Sequence, residues 1–124
     1  MYPLADAARR VCAEMALGPG EAAELRTFLA AAERTAETLG ARFDEGRAMG
    51  LAAHSAGFVR RLRGAPPLPS VSAALFDEID DDVRGAVAGL LRGHTRASGR
   101  AGPGDDEVLL FAIHFQIAKS SSWR

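Results

Sequence analysis

Two histidines set into apolar helical stretches are the residues of this chain best suited to chemistry. His54 stands in Leu51-Ala52-Ala53-His54-Ser55-Ala56-Gly57-Phe58, and His114 in Leu110-Phe111-Ala112-Ile113-His114-Phe115-Gln116-Ile117. A neutral imidazole near pH 7 is a nucleophile, a general base and a metal ligand in one side chain. Each histidine has a charged residue seven positions away: Arg61 follows His54, and Glu107 precedes His114. Seven residues are two helical turns and leave the pair only about 20° apart on the helical wheel, so each pair shares a face. Leu51, Phe58 and Leu62 project near His54; Leu110, Phe111, Ile117 and Ala118 flank His114. If the two helices pack antiparallel with His54 opposite His114, Arg61 comes opposite Glu107. An ion pair would then close one end of a site whose other end is two imidazoles. The competing reading is packing alone, since imidazole is only moderately polar and tolerates partial burial on an apolar face.

The elements that must position these residues are helices. Leu4, Ala8, Val11 and Met15 form a first apolar stripe, which Gly18-Pro19-Gly20 is expected to end. Leu25, Phe28, Leu29, Ala32, Ala36 and Leu39 form a second, stopping at Gly40. The His54 helix covers about 45–63 and runs into Gly64-Ala65-Pro66-Pro67-Leu68-Pro69, which cannot continue it. Ser70 suits the N-cap of a short helix carrying Val71, Ala74, Leu75 and Phe76. Asp80, Asp81 and Asp82 suit the first turn of a helix with Val83, Val87, Leu90 and Leu91, expected to end near Gly93. Residues 94–104, rich in Gly, Ser and Arg, read as an exposed loop in which His94 is solvated. Asp105, Asp106 and Glu107 open the last helix, and Lys119 lies in its last turn. No strand alternation, hairpin signal or internal repeat is visible. The fold class expected is all-α, a compact bundle of about five to six helices. Residues 1–20 would be an N-terminal helical extension, 21–119 the main domain and 120–124 a polar tail.

Composition narrows the function classes. The 124 residues carry a formal net charge of −1, so no global basic field exists to hold a polyanion, and direct nucleic-acid binding is not expected. No apolar run approaches the ~18 residues of a membrane span, and no signal peptide is apparent, which makes the cytoplasm the expected compartment. Cys12 is the single cysteine and reads as a small apolar side chain. There is no GxGxxG, P-loop, HExxH, GxSxG or CxxC, so no enzyme and no cofactor is expected.

The same residues carry a family resemblance. The stretch 54–61, a helical His with Arg two turns later before a Gly/Pro-rich linker, resembles the first-histidine helix of the phosphotransferase-system regulation domain (PRD). The stretch 107–114, with Glu two turns before His, resembles that family's last helix, and 71–91 resembles the two helices between. The resemblance covers about residues 21–119; Ser55 and Leu110 stand where the family favours a larger apolar and an aromatic residue. It implies a five-helix bundle that dimerises. It also implies that His54 and His114 are phosphoacceptors for the phosphocarrier HPr or an enzyme II B component, with Arg61 and Glu107 as their electrostatic partners. Phosphorylation would replace a near-neutral ring by roughly −1.5 to −2 of charge and bias a two-state element. Two further readings are kept: a dimeric scaffold in which the histidines only pack, and a small metal-binding protein built on the His pair with Glu107.

Overall fold

A computed structural model describes residues 1–69 and 73–121. It contains five α-helices: α1 (Leu4–Glu14), α2 (Pro19–Leu39), α3 (Glu45–Leu62), α4 (Asp81–Ala97) and α5 (Asp105–Ser121), with a 3-10 helix over Ala73–Glu78 between α3 and α4. No strand occurs among the described residues, and the all-α bundle is the observed fold. Ser70 and Val71 lie outside the described residues.

Local chemistry sets most helix ends. Asp44 caps α3, its carboxylate accepting from the Arg47 amide at 2.8 Å. Gly40 closes α2 at φ 70°, where a side chain would be strained, and lets the Ala41 amide reach back to the Ala36 carbonyl. The Gly18-Pro19-Gly20 tripeptide works differently from the expectation. α1 already stops at Glu14, and Ala16 makes the turn at φ 51°. Gly18 is instead the N-cap of α2 and Pro19 its first residue, where a missing amide costs nothing. The Glu21 carboxylate accepts from the Gly18 amide and completes that start.

Two further boundaries correct the sequence reading. α4 passes Gly93 and runs to Ala97, so His94 is helical. The stripe of Val83, Val87 and Leu90 continues onto His94 and Thr95, and burial on that face outweighs the poor helix propensity of Gly93. α5 likewise continues through Ser120, whose hydroxyl accepts from Gln116, so the polar tail begins later than expected. Asp80 occupies the N-cap position of α4 but turns its carboxylate to Lys119 and Gln116 of α5.

α3 packs on α1, α2 and α5, while α4 packs on α2 and α5. The core is one continuous apolar cluster to which every α-helix contributes. α1 belongs to it fully: Leu4, Ala7 and Ala8 are completely buried. Cys12 is half-buried against the same core. Three phenylalanines, Phe28, Phe58 and Phe111, meet at its centre with ring centroids 5.3 to 5.4 Å apart. Such tilted and edge-on contacts are the favoured aromatic geometry. No helix among the described residues is long and apolar enough to cross a membrane.

Candidate functional site

α3 and α5 run antiparallel, and the contact between them brings all four residues singled out from the sequence together. Arg61 Nε donates to Glu107 Oε2 at 2.5 Å and Arg61 Nη2 to Oε1 at 2.8 Å, a bidentate fork. Both side chains are largely buried, at 16 % and 13 % exposure. Two turns along, the rings of His54 and His114 lie 5.4 Å apart and tilted by 46°. The separations of seven residues explain the match: two antiparallel helices with equal spacing bring both pairs into register.

Small residues on α3 make the room. Gly57 lies beneath the Arg61 guanidinium, and a Cβ there would come within 2.9 Å of Nη1. Gly50, one turn before His54, faces the His114 ring at 3.8 Å. Ser55, the residue after His54, is buried and satisfied by its own helix, its hydroxyl donating to the Leu51 carbonyl at 2.7 Å.

The electrostatics of the pair follow from burial. The His54 imidazole is pushed down to about 4, first by burial, then by repulsion from His114 and from the Arg61 cation. Burial lowers His114 as well. His54 is therefore neutral at pH 7. Its Nε2 lies 3.8 Å from Glu107 Oε1, beyond hydrogen-bond reach and without the charge that would make an ion pair. That nitrogen is buried and has no hydrogen-bond partner among the described residues. The ring rests edge-on against Phe111 at 4.4 Å. A cavity of about 390 Å³ opens at the ion-pair end, walled by Arg61 and Glu107, by Pro67 and Leu68 of the linker, and by Gly102 and Pro103. Among the described residues no three His, Cys, Asp or Glu side chains converge as a metal-ligand set, and the His54–His114–Glu107 group does not form one.

A second polar centre escaped the sequence reading. His94 is not solvated: its side chain is 10 % exposed, and its Nε2 lies 2.7 Å from Glu24 Oε2. Glu24 also accepts from Arg100 Nη1 at 2.6 Å and from Arg63 Nε at 3.0 Å. Burial alone would raise this carboxyl, but the hydrogen bonds from Arg100, His94 and Arg63 outweigh it and hold it at about 2. The Glu24 cluster ties α2 to the end of α3, to α4 and to the segment that precedes α5. Its signal in the sequence was the period: His94 follows Val87 by seven residues, as Arg61 follows His54.

Comparison of the chain with family models, with curated proteins and with solved structures finds no match.

Proposed function

We propose that this chain is a cytoplasmic regulatory interaction module of PRD type, a homodimer in which His54 and His114 accept a phosphoryl group from HPr or an enzyme II B component. The observation that carries the reading is the register of the two imidazoles with the buried Arg61–Glu107 fork. Neutral rings keep a nucleophilic nitrogen at pH 7, and burial holds both rings neutral. In the transfer, the donor's P–N bond (phosphohistidine, as on HPr) or P–S bond (a phosphocysteine of an enzyme II B component) breaks as a new N–P bond forms on the acceptor ring, and the donor imidazole or thiolate is the leaving group. The new dianionic group would repel Glu107 and attract Arg61. The fork would then have to exchange one anion for another, a local rearrangement able to bias helix α5 against α3. This needs no catalytic machinery, cofactor or metal in the chain itself.

The deciding measurement is intact mass after incubation with phosphoenolpyruvate, enzyme I and HPr, with and without enzyme II B components. An acid-labile phosphoryl gain that vanishes in His54→Ala or His114→Ala supports the reading and names the acceptor. The absence of any gain with every donor supplied rejects it.

One observation favours a second reading, the unphosphorylated scaffold. The His54 ring packs on Phe111 and its Nε2 is buried without a partner, as in a residue kept for shape. His54→Gln separates the two: loss of partner response at unchanged stability marks regulation, whereas loss of stability alone marks the scaffold.

A further inference from the structure

Two Pro- and Gly-rich segments wall the cavity of about 390 Å³ in which the Arg61–Glu107 fork lies: Pro67 and Leu68 belong to one, Gly102 and Pro103 to the other. Residues 66–69 and 101–103 make no backbone hydrogen bond among the described residues. Each segment is pinned only near its root. The Ala65 amide donates to the Arg60 carbonyl at 3.0 Å where the first leaves α3, and the Arg100 amide donates to the Thr95 carbonyl at 2.9 Å where the second leaves α4. Chain of this kind belongs to the part of a fold that opens most easily.

The side chains at those two roots turn to one carboxylate. Arg63 Nε donates to Glu24 Oε1 at 3.0 Å; Arg100 Nη1 donates to Oε2 at 2.6 Å and Nη2 to Oε1 at 3.2 Å. Glu24 is 10 % exposed, so these charge-assisted bonds are only weakly screened. Gly20 keeps the approach of Arg63 clear, since a Cβ there would stand 3.3 Å from its Nη1. The third partner, His94 Nε2 at 2.7 Å, comes from within α4 and belongs to neither segment.

We propose that Glu24 is a latch: through Arg63 and Arg100 it holds both segments against the cavity, and its release opens the cavity and lets water reach the Arg61–Glu107 fork. Because the two segments share one anion, loss of Glu24 frees both at once, whereas loss of either arginine frees one. The inference concerns the unmodified chain and stands whether or not a histidine accepts a phosphoryl group. On that reading, the latch sets how readily Arg61 is released to the new anion.

The test is the rate at which the Arg61 Nε–H proton exchanges with water, followed by NMR on the full chain. In Glu24→Gln it should rise about tenfold or more, the effect of losing one hydrogen bond to a charged group. The amide of Val11, buried in α1, should rise by less. Arg63→Met and Arg100→Met should each raise the Arg61 rate by a smaller factor, and the two together should match Glu24→Gln. His94→Gln disturbs the same carboxylate but frees neither segment, and should leave the Arg61 proton as slow as in the wild type. An unchanged Arg61 rate in Glu24→Gln, an equal rise at Val11, or an equal rise in His94→Gln would each overturn the proposal. If Glu24→Gln does not fold, the two arginine variants, at side chains 38 % and 26 % exposed, decide it by the same readout. No phosphodonor is used, so neither result bears on the phosphoacceptor reading, which its own mass measurement tests.

Discussion

Arg61→Met removes both donors of the buried fork and leaves the Glu107 carboxylate at 13 % exposure without its counter-ion. Breaking a buried ion pair from one side costs about 3–5 kcal/mol, because the remaining charge stays desolvated. Since both partners keep some solvent contact, about 3 kcal/mol is expected at pH 7, equivalent to a fall in melting temperature of about 12 °C for a chain of this length. The loss should shrink on acidification. Removing Arg61 deletes one of the three causes that depress His54, and it frees a carboxylate 3.8 Å from His54 Nε2. The His54 pKa should therefore move up from about 4, and an imidazolium should take the place of the guanidinium as Glu107's partner near pH 5. Removing both charges, in Arg61→Met with Glu107→Gln, should recover most of the stability and abolish the pH sensitivity of the single variant. The assays are urea and thermal melts at pH 7 and pH 5, and a histidine-ring NMR titration. A single-variant loss under about 1 kcal/mol, no coupling between the two substitutions, or an unmoved His54 titration would each refute the argument.

Other outcomes follow from the same geometry. His54 is depressed in the folded state from 6.5 to about 4, so the unfolded chain binds the extra proton in that window. Its contribution to stability is complete above pH 6.5 and is lost as pH falls toward 4, by at most about 3 kcal/mol. His54→Gln should flatten the stability profile there, while Glu24, held at about 2, acts only at lower pH. Gly57→Ala should fail to deliver the roughly 0.5–1 kcal/mol that alanine normally adds to a helix, because its Cβ displaces the Arg61 guanidinium held by Glu107. Gly50→Ala, with ordinary contact at 3.8 Å from His114, should show the gain; paired urea melts compare them. Phe111→Ala, at a fully buried position, should cost about 3–5 kcal/mol in the same melts.

Much of this arrangement was legible in the residues. The period of the apolar stripes placed all five α-helices, and equal spacing of His54 to Arg61 and Glu107 to His114 was enough to pair them, because α3 and α5 meet antiparallel. What spacing could not supply was the neighbourhood. His94 looked solvated because Gly93, Ser98 and Gly99 surround it in a polar, glycine-rich stretch. Its burial depends on Phe28 and Glu24, contributed by a helix some seventy residues earlier. Glu24 in turn looked like any charge on an amphipathic helix, because the groups that satisfy it come from the end of α3, from α4 and from the segment after α4. Gly18 and Pro19 misled for a simpler reason: the residue types that stop one helix also start the next.

The phenylalanine trio has a mechanical consequence. Phe111 touches the His54 ring as well as Phe28 and Phe58, and those two rings in turn abut His94. Close-packed rings yield little to compression, so the two polar centres stand at opposite ends of a stiff column. Bulk added at one end is resisted by the rings between and is expected to reach the other end in part as movement of a helix axis, so the distance between α3 and α4 is a gauge of what happens at either histidine.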